Sequence, residues 1–279
     1  MSAEEPVDHD CLRAPRPPTL DGTGSDEVWS VAPRSPRFVD MATGRPGLFD
    51  TRAALLWDDD ALYVAFWAED PFPAAELRER DDIVFTETDV EVFVAGQDCY
   101  YELEVNAAGT IYEVLFVWRD AYLPGSRFVD APELDVHRPD AFTFAGDDDR
   151  TGRTFWRGSH PRGTRWAFTG WDLPGLRVAV AVDGTLNDPS VVSRGWTAEL
   201  VLPWEGLRLV AGDRPVPPRP GDVWSLFLGR FQKLVLGGRE VEPHPAWCWT
   251  PHGLADTHRP ERWTRIRFDE RVASAAVVG

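Results

Sequence analysis

Short runs of alternating or β-branched residues, each stopped by Gly, Pro, Asn or Asp, recur along almost the whole chain. That punctuation constrains the fold more than any other feature of the sequence. Residues 53–57 and 61–67 flank Asp58-Asp59-Asp60 and predict a hairpin. Residues 90–94 and 100–105 flank Ala95-Gly96-Gln97-Asp98, and residues 111–117 follow a turn at Asn106-Ala107-Ala108-Gly109. Further runs at 176–182, 196–202, 224–231 and 263–268 have the same character. Helical periodicity is confined to 73–80 and 203–207. The pattern predicts an all-β chain: an antiparallel, jelly-roll-like β-sandwich with short helices and one long loop insertion. Residues 1–17 are polar and broken by proline and read as a flexible arm. Residues 18–270 read as one domain and 271–279 as a tail. The insertion, 119–170, carries Asp147-Asp148-Asp149 with Trp156, Trp166 and Trp171, and 211–222 is proline-rich. Long irregular stretches are often functional, and docking of a protein partner is one role for the insertion.

Composition narrows the partners. The 279 residues carry 46 acidic against 29 basic side chains, a formal charge of −17, which disfavours phosphate backbones and anionic lipid as ligands. Thirteen Trp and fifteen Phe beside that acid surplus suit ligands held by ring stacking and hydrogen bonds, sugars among them. Cys11, Cys99 and Cys248 lack metal-ligand spacing, and an odd count makes a poor disulfide framework. They read as small hydrophobes. Residues 1–18 show no secretory pattern and no apolar run has the length of a membrane span. The expectation is a cytoplasmic protein, or an extracellular one if translation starts upstream, without nucleic-acid or membrane partners. Oligomeric state is not legible.

The hairpin 89–106 is more specific. A turn over 95–98 sets Glu91 opposite Glu102 and Asp89 opposite Glu104. Period-2 alternation then places Asp89, Glu91, Glu102, Glu104 and Asn106 on one face, with Val90, Val92, Tyr101, Leu103 and Val105 toward the core. Continuing through the next turn brings Glu113 beside Glu102. Like charges facing one another destabilise a sheet unless something offsets them. An arginine, a bound cation or a polyhydroxyl ligand would serve, and Arg230 is the nominated arginine. An ordinary solvated face is the competing reading, about equally weighted on pattern alone. Trp29, Trp57, Trp67, Trp196 and Trp224 read as core. Trp247 or Trp249, near His258, either lines a ligand face or packs inside, and Trp118 is a similar case. Phe85 either stacks on a ligand or plugs the surface. His258, between Asp256 and Arg259, is either a ligand contact or a salt-bridge partner.

Several stretches resemble family 9 carbohydrate-binding modules. Pro18-Thr19-Leu20-Asp21-Gly22 with Asp26-Glu27-Val28-Trp29 is similar to the family's opening "IDG…DE.W". Leu56-Trp57-Asp58-Asp59-Asp60-Ala61-Leu62-Tyr63-Val64 resembles "LWDD.yLYV", and Asp89-Val90-Glu91-Val92-Phe93 resembles "D.VEIF". Gly195-Trp196-Thr197-Ala198-Glu199-Leu200 with Leu202-Pro203-Trp204 is similar to "GW..E..IPW", and His258-Arg259-Pro260-Glu261-Arg262-Trp263 stands where members carry a Pro-containing segment. Each motif is short, but their ordered succession from residue 18 to 269 is specific, and the likeness is greatest to stand-alone bacterial proteins. The resemblance implies a β-sandwich that grips a sugar between two tryptophans, with polar groups on neighbouring strands. Here those tryptophans fall at Phe85 and His258. Glu91 and Asn106 match polar contact positions, Glu104 replaces an expected arginine, and Phe227 replaces a glutamine. Calcium fills structural sites in some members. No oxygen-ligand loop of recognisable spacing is present here, so no cofactor is expected, with structural calcium the alternative left open and no metal ligands assigned.

The sequence therefore predicts a non-catalytic carbohydrate-binding protein linked to polysaccharide breakdown. Its candidate contacts are Phe85, Glu91, Glu102, Glu104, Asn106, Arg230, Trp247, Trp249 and His258. The alternative is a glycoside hydrolase using the acidic face, although two catalytic carboxylates must flank the scissile bond rather than stand side by side. Ser-His-Asp, phosphate-loop and His-Glu-x-x-His patterns are missing, and Met1 and Met41 are poorly placed for haem.

Overall fold

A computed structural model describes residues 7–145 and 160–275, and the backbone alone of 154–156. Its strands, in order, are β1 His9–Arg13, β2 Val39–Asp40, β3 Thr51–Trp57, β4 Ala61–Glu69, β5 Asp89–Ala95 and β6 Cys99–Asn106. Then come β7 Ile111–Trp118, β8 Ala141–Phe144, β9 Thr154–Trp156, β10 Arg165–Phe168, β11 Arg177–Asp183 and β12 Gly195–Pro203. The last are β13 Val223–Phe231, β14 Val235–Leu236, β15 Arg239–Glu240, β16 Ala246–Cys248 and β17 Thr264–Val272. Helices are single turns, α1 Glu27–Ser30 and α2 Arg208–Ala211 among them. The all-β expectation holds.

Apart from the small β14–β15 pair, the described strands form one continuous sheet, ordered β11-β12-β4-β3-β1-β17-β13-β5-β6-β7-β10-β8-β9. β16 continues along the β13 edge beyond β17 and carries β2. One apolar cluster draws alternate residues from both halves: Leu55, Val64 and Leu200 from the first, Val92, Leu103 and Leu228 from the second. The halves are thus the two layers of a sandwich. Turn chemistry sets the hairpins. Asp58 Oδ1 accepts from the Asp60 and Ala61 N–H groups at 2.8 and 3.0 Å, closing β3–β4 as an Asx-type turn.

Five expectations need correction. Residues 9–13 are not a flexible arm: β1 lies between β17 and β3, parallel to both, with Cys11 and Leu12 buried. A strand whose neighbours are distant and parallel has no adjacent hairpin to announce it. Residues 1–6 of that arm lie outside the described residues, as do 276–279 of the tail, whose start is instead the end of β17. Residues 73–80 are not helical, because their amides bond to side chains. Glu76 and Leu77 N–H donate to Glu87 Oε1, and Arg78 and Glu79 N–H to Asp82 Oδ2. The second predicted helix, 203–207, is a turn leading into α2. Finally, the 119–170 insertion is no structureless loop, since β8, β9 and β10 extend the sheet outward from β7. Asp147-Asp148-Asp149 and the Trp156 side chain lie outside the described residues. Within the layers, Trp29, Trp57, Trp196 and Trp224 are buried as expected, Trp67 is partly buried, and all three cysteines are free and buried.

Candidate functional site

The β5–β6 hairpin turns on two residues, Gln97 and Asp98, with Gly96 N–H donating to Cys99 O at 2.8 Å. Register is therefore two residues from the predicted one: Asp89 faces Asn106, Glu91 faces Glu104 and Phe93 faces Glu102. A shift of two leaves every side chain on its predicted face. Val90, Val92, Tyr101, Leu103 and Val105 enter the inter-layer core, while the acids project to the other side. Glu113 does not join them. It pairs with Leu103, so it points into the core, where Tyr101 Oη and the Leu173 N–H donate to it and Arg80 pairs with it.

The acidic face is covered, not solvated. Glu91, Glu102 and Glu104 are 3, 3 and 2% exposed, and Asp89 is fully buried. A second apolar cluster, including Phe93, Tyr100, Phe116, Phe144, Phe227 and Trp263, packs on this side of the layer. Within it lies a cavity of about 660 Å³, lined by Glu91, Glu102 and Glu104 and by Met41, Phe85, Phe93, Phe144, Phe231 and His258. Such a volume suits a small organic ligand. His244, Pro245, Asp256 and Thr257, from the segments around β16, form part of the rim.

Burial pushes the Asp89, Glu91 and Glu104 carboxyls well above the usual range, and their mutual repulsion adds to it. Burial lifts Glu102 to about 8, held back by a hydrogen bond with Glu104 and by the charge of Arg165. Asp89 Oδ2 and the Oε2 atoms of Glu91, Glu102 and Glu104 are enclosed without a hydrogen-bond partner. One oxygen each from Asp89, Glu91 and Glu104 lie within 4.8 Å of one another. His258 closes one side, its Nδ1 3.0 Å from Tyr100 Oη and 3.6 Å from Glu102 Oε2. Burial, then the nearby Arg165 and His160, hold its pKa well below the ordinary imidazole value, so it is neutral at physiological pH.

Of the nine residues singled out from sequence, the structure brings five to the cavity: Phe85, Glu91, Glu102, Glu104 and His258. Four lie elsewhere. Asn106 is spent on its own turn, its Oδ1 accepting from Ala108 and Thr110 N–H and its Nδ2 donating to Leu77 O and Glu87 Oε2. Arg230 pairs with Val90 across the strands and therefore points away from Glu91. It meets Asp70 at 3.4 Å and donates to Thr51 Oγ1 and Glu69 O. Trp247 stands beside it in the core, and Trp249 packs edge-on against His9. The other buried arginine among the described residues, Arg165, donates to Tyr100 Oη at 2.7 Å and to His258 O at 3.3 Å, and does not line the cavity. Trp118 lies beneath it, also away from the cavity.

Sequence reasoning missed Phe93, Phe231, Phe144 and Met41. Phe93 shares the parity of Glu91, and Phe231 faces Asp89, so the alternation rule applied once more reaches both. Phe144 sits in the insertion and Met41 follows a two-residue strand, and neither carries a periodic signal.

No family model and no curated protein matches the sequence. Solved structures do match the fold. A candidate carbohydrate-binding protein from Bacteroides uniformis superimposes with a TM-score of 0.56 at 13% identity, covering 94% of this chain and 98% of that one. A family 9 carbohydrate-binding module from Caldicellulosiruptor kristjanssonii, in complex with cellotriose, gives 0.51 at 12% identity over 95% and 96% of the two chains. Its complex with glucose gives 0.51 at 12% over 95% and 98%. The chain has the fold of family 9 carbohydrate-binding modules over nearly its whole length.

Proposed function

We propose that the protein is a carbohydrate-binding protein that takes a sugar into the cavity over β5, β6 and β13 without cleaving it. The observation that carries the reading is the pairing of ring faces with buried acceptors in one cavity of about 660 Å³. Phe85 and His258 offer apolar faces to a pyranose, and Glu91, Glu102 and Glu104 offer acceptors to its hydroxyls. The shared fold with modules holding glucose and cellotriose supports the same reading.

Hydrolysis is less well supported. It needs an acid and a second carboxylate on either side of the glycosidic oxygen. Glu91 and Glu104 instead stand side by side on one wall, with Asp89 buried next to them.

Calorimetric titration of the full chain against a panel of neutral, amino and acidic mono- and oligosaccharides tests the reading. At least one sugar is expected to bind, and both Phe85→Ala and Glu91→Ala are expected to weaken it by about tenfold or more, the loss of one ring contact or one charge-assisted hydrogen bond. Heat with no sugar in the panel, or variants that bind as tightly as the parent, overturns it. Release of reducing sugar, abolished in Glu102→Gln, would favour hydrolysis instead.

A further inference from the structure

We propose that the ligand of this cavity is an amino sugar, its protonated amine seated against Glu91 and Glu104 where they line the cavity, with Asp89 buried behind them. The proposal rests on the carbohydrate reading above and narrows it to one chemical class.

The carboxyls set the requirement. Asp89, Glu91 and Glu104 are at most 3% exposed, and each keeps an enclosed oxygen without a hydrogen-bond partner. Orphaned acceptors of this kind are costly to bury, more so when they are charged and adjacent. A second, separate observation points to the same place. Tyr112 stands directly across from Glu104 on β7, is 2% exposed, and its hydroxyl also lacks a partner. A polar ligand group at that spot would answer both.

Charge decides what the group is. Neither Lys nor Arg is among the residues lining the cavity. Arg230 lies on the opposite face with Asp70, and Arg165 turns one nitrogen to Tyr100 Oη and the His258 carbonyl and acts on Glu102, not on Glu91 or Glu104. In the empty cavity burial keeps protons on these acids. A neutral sugar hydroxyl would donate a hydrogen bond but offer no charge against which these acids could ionise, whereas an ammonium supplies both.

Geometry agrees. Three acceptors about 2.8 Å from a tetrahedral ammonium nitrogen stand about 4.6 Å from one another, given ordinary charge-assisted distances. The three carboxylate oxygens lie within 4.8 Å of one another. A bare divalent cation would also fit three carboxylates, but it leaves the rest of the cavity unexplained. About 660 Å³ walled by Phe85, Phe93, Phe144 and Phe231 is space for a ring, and aromatic faces attract an organic cation.

The test is calorimetry on the full chain at neutral pH. Glucosamine and its β-1,4 disaccharide are compared with N-acetylglucosamine and its disaccharide, with glucose and cellobiose, and with calcium chloride alone. The N-acetyl sugars keep the ring and remove the charge. Amino sugars are expected to bind at least about tenfold more tightly than either uncharged series, the worth of one charge-assisted hydrogen bond to a buried carboxylate. Glu104→Gln and Glu91→Gln are expected to reduce amino-sugar affinity by a similar factor. If either variant fails to fold, the parent's ranking of the ligands decides alone. Equal or tighter binding of uncharged sugars overturns the proposal and leaves the carbohydrate reading standing. Calcium binding without amino-sugar binding also overturns it. Binding of no sugar at all removes both.

Discussion

Asp89, Glu91 and Glu104 matter individually because no Lys or Arg lines the cavity beside them, while Glu102 alone is held back by the charge of Arg165. Their raised pKa values make stability pH-dependent, and the sign follows from proton counts. A carboxyl whose folded pKa exceeds its unfolded value keeps a proton that the unfolded chain releases. Unfolding free energy therefore falls as pH rises between the two values. Histidines act oppositely at lower pH: burial lowers His9 to about 4 and lowers His160, His252 and His258, so they oppose the trend below their ordinary value of 6.5. From 6.5 to the value of about 8 for Glu102 the carboxyls act alone. The unfolding free energy of the ligand-free protein in urea is expected to fall across that window, by up to about 1.4 kcal/mol per pH unit for each retained proton, and the urea midpoint with it. Glu102→Gln should flatten the profile, and a midpoint that rises with pH would contradict the assignment. Residue types at these positions were legible in the sequence because period-2 parity survives a misjudged turn. The partner was not. Arg230 looks like the neighbouring cation in one dimension, yet its cross-strand position opposite Val90 aims it through the sheet toward Asp70.

Among the elements, the β6–β7 turn shows how one residue type serves two readings. Asn106 occupies a position matched to a sugar contact, but its amide makes four hydrogen bonds within the turn and its surroundings. Asn106→Ala is expected to cost about 3 kcal/mol of stability, from several part-buried hydrogen bonds at about 1 kcal/mol each. Ligand affinity of the folded variant should stay within about twofold, because no atom of Asn106 reaches the cavity. Chemical denaturation together with calorimetry measures both, and intact stability with lost binding would reverse the assignment. Strands with a hairpin neighbour were readable from alternation and turn residues, as β3 through β7 show. β1 was not, because its partners lie in parallel and its five residues alternate only weakly. Residues 73–80 failed as a helix for the complementary reason, since Glu87 and Asp82 capture the amides that a helix would need.

For the whole molecule, a sandwich built from one folded-over sheet leaves the outer face of its second layer in need of cover. β2, β16 and the β8–β10 extension sit around that face, and the cavity is the space they leave. The fold class was legible from local pattern because nearly every segment votes for strands. The cover was not, because Met41, His244 and Asp256 come from stretches with almost no regular structure and meet only in three dimensions. Most of the described indoles are spent elsewhere. Among the described residues no tryptophan lines the cavity, and Trp57, Trp204, Trp224 and Trp247 all belong to the inter-layer core. A ring entering between Phe85 and His258 would therefore touch no described indole directly and reach Trp263 only indirectly, through Phe93 and Thr257. Ligand titrations followed by intrinsic tryptophan emission are expected to show little signal even at saturation, while calorimetry registers heat. A large emission change on binding would mean that the ligand sits somewhere else. A screen that relies on emission would then score a true binder as inert, and one that relies on heat would not.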